Sequence, residues 1–286
     1  MNHIKEKIFK YTTLIAALFS IIFLFGIIIS IFTQGIPAFS EIGIFDFIFG
    51  TEWNPTHIEP SFGIAGLIVS SLLVTTIALV FAVPLGVGAA LYISEIANKK
   101  FKEILKPVIE LLAGIPSVIY GLFGMTVLAP FVRELFGVPI GLNAFTAGII
   151  LAIMVIPIIA SISEDAINSV PNELREASLA LGANNWETIT KVVLPASKSG
   201  VITSIILGFG RAIGETMVVL MVAGGSIGFP DSIFDPVRPM TSSIAAEMGE
   251  ATLGSLHFHS LFAIGIILFI ITFISNLITH IIKEKK

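Results

Sequence analysis

The sequence predicts an all-α integral membrane protein with six transmembrane helices. Three observations predict it: a mean hydropathy of +0.97, a charged fraction of only 13% against 55% hydrophobic residues, and the clustering of those few charges between long charge-free stretches. A soluble domain carries about a quarter charged residues, because its surface must be covered with polar groups. A soluble enzyme, a disordered tail and a nucleic-acid reader are therefore disfavoured together. The net charge of −4 and pI near 5.7 again oppose nucleic acid as a partner. The 286 residues include no cysteine, which excludes disulfides, thiolate metal sites and cysteine nucleophiles.

No Asp, Glu, Lys or Arg lies between Lys10 and Glu41, Glu59 and Glu95, Glu110 and Arg133, Glu134 and Glu164, or Glu250 and Lys283. Crossing the hydrocarbon core takes about 20 apolar residues at roughly 1.5 Å each, and each of these gaps is long enough. Two shorter gaps flank Arg211 and Glu215 and together make one more span. The six spans fall at about 12–32, 63–93, 108–131, 142–162, 199–225 and 257–282, within a single transmembrane domain over 1–286. The first is read as a retained helix: its apolar run from Leu14 to Phe32 exceeds a usual signal core, and no small-residue cleavage site follows it.

An even number of spans puts both termini on one side. Lys5, Lys7, Lys10, Lys99, Lys100, Lys102, Lys106, Arg175, Lys191, Lys198, Lys283, Lys285 and Lys286 share a face, and only Arg133 and Arg238 fall in the opposite loops. The excess of Lys and Arg marks the cytoplasmic side, so both termini are expected there, in the cell membrane. The loop 33–62 carries Glu41, Asp46, Glu52 and Glu59 with no basic residue, as an exterior loop can.

The long cytoplasmic loop 163–198 reads as two short helices. Pro171 fits a first turn, where its missing N–H does no harm. Glu173 and Glu176 suit the positive end of the helix dipole. Leu174, Ala177, Ser178 and Leu181 recur on one face. Gly182 can take the left-handed conformation that ends a helix. Asn184 followed by Glu187 has capping-box spacing, Trp186, Ile189, Val192 and Val193 make the second apolar face, and Pro195 ends or bends that helix. Such a loop docks either on its own membrane helices or on a cytoplasmic partner.

Glu176-Ala177-Ser178, Gly182 and Val192-Val193-Leu194-Pro195 resemble the EAA loop of ABC-importer permeases: Glu-Ala-Ala, three residues, Gly, nine residues, Ile-x-Leu-Pro. Ser178 replaces the second Ala and Val192 the Ile. The resemblance implies that this is the coupling loop, with Glu176, Ala177 and Gly182 seated against a cytoplasmic ATPase subunit. The chain has no Gly-x-x-x-x-Gly-Lys-Ser/Thr phosphate loop, so ATP and Mg belong to that partner, and this chain is expected to be a non-catalytic subunit without a cofactor of its own.

Arg211 lies roughly 18 Å along a helix begun at Ser199, near mid-membrane. A lone Arg there costs about 2.5–3.5 kcal/mol on insertion scales. Glu215 shares its helical face at i+4. The pair reads either as a lock between helices or as part of a substrate path. Intramembrane ionisable groups are functional candidates by default, and the guanidinium fork suits an oxyanion. Glu215 then either holds the Arg or is the group an anion displaces. Gly210 and Gly214 form a Gly-x-x-x-Gly face for close helix approach, and Gly208 softens the helix.

The stretch from Gly210 to Met217 resembles the phosphate-specific ABC-importer permeases, as do 113–121, 240–251 and 257–261, in the last two cases the PstC type more than its PstA-type sister. That resemblance implies the type I importer permease fold and a phosphate path lined by Arg211 and Glu215. It also implies a sister permease, two ATPase subunits and an extracytoplasmic phosphate-binding protein. Three alternatives stand: the same machine for phosphonate, sulfate or molybdate; an ion-gradient transporter with Glu215 as proton carrier; and an intramembrane enzyme with Glu215 as base. His257 and His259 are expected to pack at the interface, Trp53 and Trp186 to anchor there, Ser117 and Tyr120 to bond locally or line the path, and Glu110, Glu164 and Asp165 to be wet helix-end charges.

Overall fold

Each charge-free stretch becomes a helix of membrane length. The computed structural model describes residues 2–284, so Lys285 and Lys286 of the terminal basic group lie outside it. Among the described residues six helices are long and apolar enough to cross a membrane. In chain order, α1 (Asn2–Ile42), the short α2 (Ile44–Phe49) and a two-stranded antiparallel hairpin, β1 (Trp53–Asn54) with β2 (Ser61–Phe62), precede α3 (Ala65–Leu91). Then come α4 (Lys99–Ala113), α5 (Ser117–Phe123), α6 (Ala129–Phe136), α7 (Ala144–Asn168), α8 (Asn172–Ala180), α9 (Asn185–Thr188) and α10 (Leu194–Ile213). The chain closes with α11 (Met217–Val222), α12 (Met240–Glu247) and α13 (Leu256–Glu284).

The centre is the packing of α3, α7 and α10. Val74, Ile77, Leu151, Val155 and Ile159 are buried there. Close approach requires glycine: a Cβ at Gly148 would stand 2.5 Å from Ile77 Cγ2 and 3.3 Å from the Val74 carbonyl oxygen. The hydroxyls of Ser163 and Ser204 meet at 2.7 Å and tie α7 to α10, a polar contact of the kind that holds helices together in lipid.

Three expectations about the spans are corrected. The third span, expected at 108–131, breaks at 114–116. Its first part belongs to α4, and the crossing helix is Ser117–Phe136, formed by α5, a π-helical turn at Gly124–Leu128 and α6. Pro116 cannot donate to the ladder, and Gly114 is the last helix-like residue before it. The fifth span, expected as one helix over 199–225, ends at Ile213 and resumes as α11. It also starts earlier, since Pro195 does not end the preceding helix. A π-helical turn at Ile189–Val193 moves the carbonyls that the proline ring would strike, so Asn185–Ile213 runs as one rod.

At the end of the bundle formed by α2, the hairpin and α12, Phe47, Trp53, Ile64, Met240 and Leu261 form a second core. Trp53 is buried rather than an interface anchor. Its indole N–H donates to the Glu247 carboxylate, at 3.1 and 3.0 Å from the two oxygens. Glu247 also receives Arg238 at 2.8 Å and pairs with His257 at 2.9 Å, so one carboxylate joins the hairpin, the loop before α12, and α13. His259 pairs with the Gln34 carbonyl at 2.7 Å.

Replacing Gly148 by Val is expected to cost about 1–3 kcal/mol by forcing α3 and α7 apart. Thermal unfolding in detergent would register it as a lower midpoint, whereas Gly210→Ala, where nothing beyond its own helix backbone lies within 4 Å of the added carbon, does not lower the midpoint.

Candidate substrate path and coupling groove

Breaking a helix inside a membrane strands backbone N–H groups that water cannot reach. Between α10 and α11 the break at 214–216 is closed by one side chain. Oε1 of Glu215 accepts from the backbone N–H of Met217 at 3.1 Å and of Val218 at 3.3 Å. Its other oxygen accepts from Arg211 Nη1 at 2.5 Å. The Glu215 backbone carbonyl accepts from the Thr241 hydroxyl at 2.7 Å, which fastens the break to α12. The carboxylate thus caps α11 and meets a cation at once, at 4% side-chain exposure.

Arg211 is the open member of the pair, with 42% of its side chain exposed. Its Nη2 lies 3.6 Å from Met154 Sδ, and its remaining N–H donors find no acceptor among the described residues. The space over Gly210 is also empty. Within this chain no other helix packs on Gly210 or Gly214, a Cβ at Gly214 meeting only its own helix, whereas Gly208 packs against another span beside Ile159 and Val155. The result is a half-open guanidinium, braced from behind by a buried carboxylate and flanked by free space. Tyr120 is outside this arrangement, since its hydroxyl donates to the Leu112 carbonyl at 2.9 Å and bridges the other break.

The loop 163–198 folds as its punctuation suggests. Pro171 stands one residue before α8, and Gly182 takes φ +90°. Both hydrogen bonds of the Asn184–Glu187 capping box form, at 2.9 and 3.1 Å. Ser178 turns inward to meet Thr188 at 2.9 Å, and Ile189 and Val193 are buried with it. Leu174, Ala177, Ser178 and Leu181 share one face, as their spacing predicts, and that face lines an open groove of about 560 Å³ with Gly182 and Val192. Leu181 is 90% and Trp186 68% exposed, and Glu176 is exposed to solvent. Ala177 and Gly182 thus lie in one groove, and Glu176 is not among the residues that line it.

Arg175, which the sequence offered only as a marker of sidedness, is the anchor of this loop. Its guanidinium pairs with Glu95 at 2.6 Å and donates to the carbonyls of Val170 at 2.6 Å and Ile167 at 3.1 Å. It satisfies carbonyls that the end of α7 leaves orphaned and binds them to the end of the second span. Glu164 is likewise buried rather than wet. Lys106 at 3.1 Å, Lys102 at 3.5 Å and the Asn168 amide at 2.9 Å surround it. The hydrogen bond to Glu164 is the main reason that the Lys106 ammonium is held above its usual pKa.

Residues 82–286 match the family of binding-protein-dependent transport system inner membrane components. The phosphate transport system permease protein PstC of Pasteurella multocida is 37% identical, over 100% of this chain and 95% of that protein. The protein of the same description from Haemophilus influenzae is 36% identical over 98% and 93%. Among solved structures, a chain of a bacterial alginate ABC transporter, crystallised with an alginate-loaded periplasmic protein, aligns with a TM-score of 0.66 at 18% identity. The alignment covers 97% of this chain and 94% of that one, a likeness of fold.

Because Arg175 and Glu95 are mostly buried, removing either strands the other. Arg175→Ala is expected to cost on the order of 3 kcal/mol. In a double-mutant cycle with Glu95→Ala the two losses should fall short of additive by at least about 1 kcal/mol, read by denaturation in detergent.

Proposed function

The chain belongs to the binding-protein-dependent transport system inner membrane component family, and we propose that it is the permease half of an ATP-driven importer of inorganic phosphate. It is a multi-pass protein of the cytoplasmic membrane. In this reading an extracytoplasmic binding protein delivers phosphate, a sister permease completes the path, and two ATPase subunits bind and hydrolyse ATP with Mg. This chain catalyses no reaction itself. Both termini and the groove lie on the cytoplasmic side, where the basic residues concentrate.

The observation that carries the reading is the half-open guanidinium of Arg211. An arginine stays charged at all relevant pH and presents paired donors to a phosphate-like oxyanion. Its brace is the reason it can stand deep in a membrane without collapsing onto another anion. The same geometry weighs against Glu215 as a proton carrier. Three donors hold that carboxylate in place as the cap of α11 and the brace of Arg211.

The groove and Arg211 sit near opposite ends of one rod. Asn185–Ile213 contains 29 residues, roughly 43 Å of helix, starting beside the groove and ending just past Arg211. Glu215 lies in the break, its backbone N–H still bonded to Ala212 of α10 while its carboxylate and carbonyl are fastened to α11 and α12. An ATPase that grips the groove and closes therefore moves Arg211 relative to its own brace. Transport requires affinity to differ between two states, and this joint is where a difference can arise.

In liposomes bearing the whole complex and its binding protein, ATP should drive accumulation of labelled phosphate. Accumulation of another oxyanion in its place would reassign the substrate. Arg211→Gln should reduce uptake to background while the complex still purifies intact; failure to assemble would instead make the pair a structural lock. Glu176→Lys should release the ATPase from the purified complex without changing the permease's unfolding midpoint, and unaltered ATPase recovery would reject Glu176 as a coupling residue.

A further inference from the structure

The helix α4 has three faces with three different fates. Lys102 and Lys106 turn toward α7 and hold Glu164, with Asn168 and Asp165 beside it. Leu105 and Ile109, at the edge of this side, are half-buried. On the opposite edge Phe101, Ile104, Val108 and Leu111 recur at i, i+3, i+7 and i+10, exposed by 55%, 63%, 45% and 74%. The third face carries Lys99, Lys100, Glu103 and Glu110, all exposed, and neither Lys99 nor Lys100 has an acidic partner among the described residues.

Length separates this helix from the spans it joins. The span that follows, Ser117–Phe136, has 20 residues, or about 30 Å, and crosses the hydrocarbon core unaided. The preceding span ends at Ile96. The 15 residues of α4 are therefore surplus to any crossing, yet only two residues separate them from one span and three from the next. A helix so placed, with an apolar stripe beside a polar face bearing lysines, suits the boundary between headgroups and acyl chains.

We propose that α4 is a surface helix lying in the cytoplasmic leaflet, with Phe101, Ile104, Val108 and Leu111 among the acyl chains and Lys99 and Lys100 on anionic headgroups. The leaflet assignment rests on the orientation proposed above. Lysines at this depth extend their ammonium groups to the phosphates while their stems remain in apolar surroundings. Because α4 also grips Glu164, and α7 leads directly into the coupling loop, the helix fixes the height of that loop against the bilayer.

The chain has no cysteine, so spin labels can be placed singly in it, within a whole complex whose other subunits are cysteine-free. In nanodiscs of phosphatidylcholine and phosphatidylglycerol, labels at Ile104→Cys and Leu111→Cys should relax with oxygen. Labels at Glu103→Cys and Glu110→Cys should relax with a water-soluble nickel chelate. The immersed labels should lie about 5–10 Å below the headgroups. Shielding of Ile104→Cys and Leu111→Cys from both reagents would show that a protein, such as the sister permease, covers the stripe. Relaxation of both by nickel would place it in water. Either result overturns the proposal. Neutralising Lys99 and Lys100 to Gln should raise the Ile104→Cys label by several ångströms, to the depth it takes in phosphatidylcholine alone, and an unchanged depth rejects the headgroup contact. Reaction of Glu103→Cys with an impermeant maleimide from the exterior only would overturn the leaflet assignment and the orientation together, while leaving the oxygen result intact.

Discussion

A helix interrupted in the membrane must find acceptors for the N–H groups at its restart, and here a single carboxylate supplies them. Glu215 takes the amides of Met217 and Val218 on one oxygen. A buried carboxylate then needs a counter-charge, and Arg211 meets its other oxygen. Each element of the site follows from the one before: the break at 214–216 needs the acceptor, the acceptor needs the cation, and the cation, backed on one side only, keeps unused donors on the other. The charge pair is best understood as the closure of a broken helix. The substrate role proposed for Arg211 uses the donors that this closure leaves over.

The opposite end of the rod is built by the mirror-image device. There a cation, Arg175, collects orphan carbonyls at the end of α7 and is balanced by Glu95. A third hub, Glu247, gathers Trp53, Arg238 and His257 at the other end of the bundle. In the first two cases charge is placed where regular secondary structure stops and a charged side chain bonds backbone groups there, whereas the Glu247 carboxylate gathers side chains only. The spans between these hubs are held by size, as where Gly148 admits Ile77.

Much of this was legible in the sequence. Charge-free stretches reported the six crossings because the bilayer imposes a minimum apolar length, and no fold detail can evade it. The capping box at Asn184 and the turn at Gly182 were legible because their chemistry is local. The i, i+4 spacing paired Arg211 with Glu215 although the helix they were assigned to proved discontinuous. What escaped was of two kinds. Hydropathy does not change where an apolar helix stops and restarts, so the breaks at 114–116 and 214–216 were invisible to it, and Pro195 signalled a stop that a π-helical turn absorbed. Partners distant in the chain were equally hidden: Arg175 and Glu95 are 80 residues apart, and nothing in either neighbourhood announces the other.

The break also explains why one uninterrupted span would serve poorly here. In a continuous helix Arg211 and Glu215 would ride on the same rigid body, and their separation would be fixed by the i, i+4 geometry in every conformation. A pair so locked offers an anion the same guanidinium at all times, and a site of constant affinity moves nothing against a gradient. Dividing the pair between the end of the rod and the cap of α11 places a joint between cation and carboxylate. In the proposed reading the rod answers to whatever grips the groove, while the cap is tied to Thr241 on α12. On that reading, the strength with which Arg211 is neutralised then differs between conformations, the property that a substrate path requires.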